Sequence, residues 1–253
     1  MVIPCRNEEH NIIRTIQGIQ KTFHDHGINY EVIVVNDGST DATADLLKRH
    51  FHHDDRIRVI PNEHAQGIGN AIRVGLDAYQ GDYVIIAMAD ASDDPEDMVR
   101  FIREVKKGSD CCFGHRWIKG ARVENYPKFK LLLNRLANGF ISFLFQMKYT
   151  DVTNAFKCYS REVIEGIKPI LSQHFNVTVE LPLKAISRGF SFTVIPNHWK
   201  ARINGRAKWK MKEMGSRYLL ILLYIWLEKI FMRRNDRKIQ ERGNASFSHR
   251  VCG

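Results

Sequence analysis

The chain has 253 residues, of which 44% are hydrophobic and 26% are charged; this is ordinary globular composition, sufficient for one large α/β domain or two small ones, and it excludes a low-complexity chain. The formal net charge of +10 is concentrated in residues 200–253, which hold 14 Lys and Arg against 4 Asp and Glu, whereas residues 1–199 hold 24 of each kind. The basic end predicts an anionic partner (nucleic acid, a phosphate-rich ligand or an acidic membrane surface) or a solvated tail.

Strand and helix patterns alternate over the first 117 residues. Strands are predicted at residues 1–4, 32–35, 56–62, 83–90 and 111–117. Helices are predicted from a cap at Asn7 to residue 23, from a cap at Ser39 or Thr40 to residue 49, over residues 67–81, and from Pro95 onward. This alternation predicts an α/β fold with a doubly wound, mainly parallel sheet flanked by helices.

Polar residues follow most of these strands. They are Arg6-Asn7-Glu8, Asn36-Asp37, the acidic run from Asp90 to Asp94, and His115-Arg116. In a parallel sheet the carboxyl ends of the strands share one edge, and ligands bind in the crevice beyond it. The coincidence therefore predicts a binding site at this edge.

Two later segments are strongly apolar. Residues 126–147 are predicted to form a helix that is either part of the core or faces lipid. The run Tyr218–Leu227 has ten residues, too few to cross a bilayer, and basic residues lie on both sides of it. A basic amphipathic helix at a membrane interface and an ordinary packing helix remain open for residues 213–235. The polar tail, residues 236–253, is assigned no function.

The cysteine content and the first residues of the chain indicate the cellular compartment of the protein. The five cysteines are an odd number without CxxC spacing, which argues against a disulfide framework or a zinc site. No signal peptide is visible before the first strand pattern. We therefore expect a cytoplasmic protein that is peripherally attached to the membrane.

Five sequence blocks together resemble a known family. "VIPCRNEEHNI" and "VVNDGSTDAT" are similar to the first and second strand regions of family 2 glycosyltransferases with the GT-A fold. "GIGNAIRVG", "DVTNAFKCY" and "RINGRAKW" resemble later blocks of the dolichol-phosphate mannosyltransferase-like branch, which charges a polyprenyl phosphate with a sugar. The resemblance implies a GT-A domain over residues 1–212. It also implies a nucleotide-diphosphate sugar donor, either GDP-mannose or a UDP-sugar.

The resemblance also implies a nucleotide pocket. Its residues would be Pro4, Arg6, Glu8, Val35, Asp37 and Ala89. Arg6 replaces an aromatic residue that is often found in the family. Asp37 would hold the base or ribose; it is also suited to a turn before Gly38.

The acidic run matches the family's Asp-x-Asp motif incompletely, because Met88-Ala89-Asp90 lacks the first aspartate. Asp90 and Ser92 are the expected ligands of a divalent cation, Mg²⁺ or Mn²⁺, that bridges the diphosphate. Asp93 and Asp94 either compensate for the missing carboxylate or serve as acidic residues at the start of a helix. The sequence leaves this choice open.

The expected chemistry is inverting transfer. Arg116, Arg202 and Lys208 are predicted to meet the phosphates. A lipid-phosphate acceptor is already an anion and needs no general base, whereas a sugar-hydroxyl acceptor would need one, for which Asp151 and Glu180 are the candidates.

Three other possibilities remain: transfer to a sugar hydroxyl of a glycan or glycolipid, nucleotidyl transfer, and a non-catalytic membrane-docked nucleotide-binding module. The expected partners are the donor, the lipid phosphate and an acidic membrane. No nucleic acid is expected, whereas a membrane-protein partner or a second copy is compatible with the sequence.

Overall fold

The computed structural model describes residues 1–201 and 215–231. The strands are β1 (Val2–Cys5), β2 (Val32–Asn36), β3 (Ile57–Pro61), β4 (Tyr83–Ile86), β5 (Cys111–His115), β6 (Arg122–Glu124), β7 (Lys157–Ser160), β8 (Phe192–Pro196) and β9 (His198–Lys200). The helices are α1 (Ile12–Asp25), α2 (Thr43–Phe51), α3 (Ile68–Ala78), α4 (Pro95–Val105), α5 (Lys128–Phe145), α6 (Arg161–Gly166), α7 (Val177–Ser187) and α8 (215–231).

Seven strands form one sheet in the order β3-β2-β1-β4-β7-β5-β8. All of its pairings are parallel except those of β7, which runs antiparallel between β4 and β5. The predicted doubly wound, mainly parallel sheet is confirmed. Because β7 runs in the opposite direction, the loop that precedes it lies at the carboxyl edge of β4 and β5. That loop is thereby brought to the edge where the binding site is predicted.

The sheet is buried on both faces. Along β1 and β2, alternate residues enter two different core clusters: Val2, Ile33 and Val35 lie in one cluster, and Ile3 and Val34 in the other. The first cluster contains residues of α3, α5, α7 and α8, and the second contains residues of α1, α2 and α4. This arrangement explains why the strands read as continuous apolar runs.

The predicted caps of the first two helices are wrong. Helix α1 begins only at Ile12, and Asn7 has a left-handed backbone with φ of 53°. Its side chain accepts a hydrogen bond from Thr40 N at 2.7 Å, and its N–H donates to Ser39 Oγ at 3.0 Å. The three polar residues therefore join the turns after β1 and β2 instead of capping helices. Pro95 is confirmed in the first turn of α4, where Asp94 is the cap.

Helices α5 and α8 each present an apolar face to solvent. On α5 the exposed residues are Phe129, Leu132, Leu136, Phe140 and Phe143, whose spacing places them on one stripe. Helix α8 buries Ile221, Leu222 and Ile225 against the core and exposes Leu219, Leu220, Leu223, Tyr224, Leu227, Ile230 and Phe231. We call these residues of α5 and α8 together the apolar surface. Within residues 1–201 and 215–231, no helix has the length and hydropathy needed to cross a membrane.

Candidate active site

Asp37 organises the edge beyond β2. Its buried carboxylate accepts hydrogen bonds from Asn62 Nδ2 at 2.5 Å and from Gly67 N at 3.0 Å. The same residue thus ties the end of β2 to the loop after β3 and to the start of α3. A side chain at Gly67 would lie 2.3 Å from the carbonyl oxygen of Gln173, so glycine is needed for this close approach.

The turn after β1 lies beside that of β2. Pro4 pairs with Val35 in the sheet, and both residues are buried. Glu8 is partly exposed and accepts a hydrogen bond from Asn11 Nδ2 at 2.8 Å. Arg6 is exposed to solvent. The structure therefore brings the predicted nucleotide residues to one edge, although their contacts with a nucleotide stay a prediction.

The acidic run forms a tight turn after β4. The Ala89 carbonyl accepts a hydrogen bond from Thr15 Oγ1 at 2.9 Å, and Asp90 Oδ1 accepts one from Ser92 N at 3.2 Å. Ala91 between them adopts a left-handed φ of 55°. Met88 is partly buried and packs against the core cluster that contains α3. Its apolar side chain is accommodated by this packing.

Asp93 carries a buried carboxyl group in this turn. One of its oxygens, Oδ2, accepts a hydrogen bond from Met88 N at 3.1 Å. Burial raises the pKa of the Asp93 carboxyl to about 7; the charges of Asp90 and Asp97 add to this rise, and the Met88 hydrogen bond and Arg116 oppose it. A bound cation would favour the ionised form.

The oxygen atoms that this turn carries are of the kind that a hard divalent cation prefers. Asp90, Ser92 and Asp93 offer carboxylate and hydroxyl oxygens, which Mg²⁺ and Mn²⁺ accept together with phosphate oxygens. Asp90 and Ser92 are the ligands expected from the sequence. Asp93 lies three residues after Asp90 in the same turn.

A second acidic set lies next to the turn. Asp94, Asp97 and His198 offer atoms within 4.8 Å of one another. Asp97 is buried, however, and accepts hydrogen bonds from Arg100 Nη1 at 2.6 Å and from His198 N. Its charge is therefore already matched by the protein, and its role in the structure is to hold β9 against α4.

Arg116 lies in a buried ion pair. Asp151 Oδ2 accepts hydrogen bonds from Arg116 N at 2.9 Å and from Nε at 3.0 Å, and Oδ1 accepts one from Nη2 at 2.7 Å. The guanidinium also lies 5.6 Å from the ring centre of Trp117 and 5.8 Å from that of Tyr126. Its predicted contact with donor phosphates stays a prediction.

Neither candidate base is available to solvent. Asp151 and Glu180 are fully buried. Glu180 forms an ion pair of 2.6 Å with Lys184 and accepts hydrogen bonds from Leu171 N at 2.8 Å and Ser172 N at 2.7 Å. These bonds hold the loop before α7 in place, so both carboxylates serve the fold.

Arg202 and Lys208 lie outside the described residues. His198 and Trp199 lie beside the acidic turn, and local sequence patterns did not predict their place there. Trp199 pairs with Asp93 in an isolated bridge and packs against Tyr126 with ring centres 5.1 Å apart. Both contacts join segments about 70 to 110 positions apart in the chain, which no local pattern predicts.

A comparison with known protein families identifies the class to which this protein belongs. The model of the family Glycosyl transferase family 2 matches residues 1–167. The chain belongs to this family and is a glycosyltransferase.

Two curated relatives share most of the chain. It is 31% identical over 214 residues to polyprenol monophosphomannose synthase of Mycolicibacterium smegmatis, covering 82% of this chain and 79% of that protein. It is 28% identical over 216 residues to dolichol-phosphate mannosyltransferase of Pyrococcus furiosus, covering 84% of this chain and 59% of the relative. These matches place it in the dolichol-phosphate mannosyltransferase-like branch.

Solved structures confirm the GT-A fold. Glucosyl-3-phosphoglycerate synthase from Mycobacterium tuberculosis, in a complex with Mn²⁺, UDP and glucosyl-3-phosphoglycerate, has a TM-score of 0.65 and 19% identity to this chain. The alignment covers 88% of this chain and 78% of that structure. The same enzyme with phosphoglyceric acid has a TM-score of 0.66 at 17% identity, with the same coverage of both chains.

Proposed function

We propose that this protein transfers a sugar from a nucleotide-diphosphate sugar to a polyprenyl or dolichyl phosphate, with inversion at the anomeric carbon and with Mg²⁺ or Mn²⁺. Two relatives bear names that specify mannose on a polyprenol or dolichol phosphate, which favours mannose as the sugar. Their names do not specify the nucleotide, and a solved neighbour binds UDP, so GDP-mannose and UDP-sugars are both donors to test.

The choice between a lipid-phosphate and a sugar-hydroxyl acceptor rests on the burial and ion pairing of the two candidate bases. A sugar hydroxyl needs a general base within hydrogen-bond reach. Asp151 and Glu180 are buried and bound to Arg116 and Lys184, and they are therefore poor bases. A phosphate monoester is largely ionised at neutral pH and attacks without a base, which favours the lipid phosphate.

The residues at the carboxyl edge of the sheet would have separate roles in binding the nucleoside, the cation and the phosphates. Asp37 would orient the nucleoside, with Pro4, Arg6, Glu8, Val35 and Ala89 lining its pocket. Asp90 and Ser92 would hold the cation, which neutralises charge on the departing diphosphate. Arg116, Arg202 and Lys208 would contribute further positive charge toward the phosphates.

The apolar surface supports a lipid acceptor and attachment to a membrane. It begins close to the site, because α5 starts two residues after Tyr126, whose ring lies beside Arg116. At its other end, α5 contacts α8 where Lys229 Nζ donates a hydrogen bond to Phe145 O at 2.5 Å. The two exposed apolar helix faces would lie in the acyl boundary, with basic residues meeting lipid phosphates.

The proposal is tested by incubating the protein with GDP-mannose, UDP-glucose or UDP-N-acetylglucosamine, a short polyprenyl phosphate, and Mg²⁺, Mn²⁺ or EDTA. Mass spectrometry of the lipid extract reports the product. We expect one donor to give a polyprenyl phosphate carrying one hexose, and EDTA to abolish it. Donor hydrolysis without a lipid product, or transfer only to glycans, would refute the proposed acceptor.

A further inference from the structure

The missing first aspartate of the cation motif raises the question of which group supplies its charge. Met88 occupies the position and its side chain packs in an apolar cluster. A single carboxylate at Asp90 would leave a divalent cation with less negative protein charge than the Asp-x-Asp pattern provides. A second carboxylate near Asp90 would restore the balance.

Asp93 is placed to do so. The chain reverses between Asp90 and Ser92, where Ala91 has its left-handed φ, and the Asp93 carboxylate thereby returns to the backbone N–H of Met88. Its charge consequently lies beside the position where the motif normally has its first aspartate.

One oxygen of Asp93 is available. Oδ2 accepts the hydrogen bond from Met88 N, whereas Oδ1 accepts none from residues 1–201 or 215–231. Arg116, at the end of the neighbouring strand β5, is bound in three hydrogen bonds by Asp151. A carboxylate that is nine-tenths buried and poorly matched by neighbouring charge is well suited to face a bound cation.

The neighbouring acids are less suitable. Asp97 is matched by Arg100 and His198. Asp94 accepts a hydrogen bond from Glu96 N at 3.0 Å as the cap of α4. Both carboxylates have identified structural partners on α4 or β9.

We propose that Asp93 supplies the second carboxylate of the cation site, in place of the aspartate missing at position 88. This inference rests on the proposed function, because it presumes a divalent cation at Asp90. Oδ1 would face the cation directly or through one of its waters, while Oδ2 keeps its bond to Met88 N.

The test measures Mn²⁺ affinity by electron paramagnetic resonance of the free ion, in the presence of GDP and, separately, UDP. Asp93→Asn keeps the shape and can still accept from Met88 N, so only charge is lost. We expect Mn²⁺ affinity to fall by roughly 10- to 100-fold, the range for groups that support a metal site. The matched control Asp94→Asn retains a good helix cap and should stay within about threefold.

A second-site variant distinguishes the loss of the Asp93 charge from a structural cause of reduced Mn²⁺ affinity. Met88→Asp combined with Asp93→Asn returns a carboxylate to the motif position and should recover most of the affinity. An unchanged affinity in Asp93→Asn, or a larger loss in Asp94→Asn, overturns the inference. If the double variant recovers nothing although its circular dichroism matches the parent, charge replacement is also refuted.

Asp90→Ala separates this inference from the function it rests on. Loss of Mn²⁺ binding in Asp90→Ala with none in Asp93→Asn defeats the role of Asp93 alone. Unchanged binding in both variants defeats the cation site itself.

Discussion

Replacing Asp151 by Asn should destabilise the protein strongly, because it leaves a buried guanidinium without its counter-charge. Arg116 is 8% exposed and Asp151 is fully buried, with three hydrogen bonds between them of 2.7 to 3.0 Å. In Asn the new NH₂ group would face an N–H donor of Arg116. Breaking a buried pair by removing one partner costs about 3–5 kcal/mol, so we expect a loss in this range.

Urea unfolding followed by tryptophan fluorescence and circular dichroism measures this loss. With a slope of roughly 2–3 kcal/mol per molar, the midpoint should fall by at least about 1 M. The matched control is Arg116→Met combined with Asp151→Leu, which removes both charges and should cost less than Asp151→Asn alone. A loss below about 1 kcal/mol in the single variant would refute the reasoning and would mean that the Arg116 guanidinium is solvated and does not depend on Asp151 for its counter-charge.

Three further predictions concern the cation, the pH dependence and the membrane. Asp90→Ala should abolish metal-dependent nucleotide binding measured by calorimetry while the thermal unfolding temperature without metal stays close to the parent's; turnover within a few-fold of the parent would contradict the assignment. Burial, partly offset by Asp151, lowers the pKa of Lys157 to about 7, so between pH 10 and pH 7 unfolding takes up a proton and stability falls as the pH is lowered. Lys157→Met should remove up to roughly 1.4 kcal/mol per pH unit from that slope in urea titrations, and parallel curves for both proteins would refute it. Leu136→Asp and Phe143→Asp, at exposed positions of α5, should reduce co-sedimentation with anionic liposomes without lowering stability; unchanged binding, or a loss of dimer instead, would assign the apolar surface to another partner.

The sheet was predictable because its signals are local. The apolar runs of β1, β2 and β4 and the helix patterns after them follow from periodicity alone. The antiparallel insertion of β7 was not predictable from local patterns, since Lys157 pairs with Ile86 and Phe113 through contacts that join distant segments. The same holds for β9, which meets Asp93 from more than 100 residues away.

The position of the polar residues at one edge of the sheet was predictable from the sequence, but the pairing among them was not. Asp37 follows β2 directly and Asp90 lies four residues after the end of β4, and their place at the edge follows from the parallel topology. The partner of Arg116 could not be read from the sequence, because Asp151 approaches it from the loop before β7. Local patterns likewise misplaced Asn7 as a helix cap, since its bonds go to the neighbouring turn.

The choice of acceptor is the central claim, and one paired measurement tests it most directly. Initial rates of sugar transfer are compared for a polyprenyl phosphate and for the polyprenol of the same chain length, with the active donor and Mn²⁺ at pH 7. Because the two lipids differ only in the attacking group, the comparison isolates the need for a base. We predict product from the phosphate, with an inverted anomeric configuration by NMR, and none from the alcohol. Equal or faster transfer to the alcohol, or a retained configuration, would contradict the account.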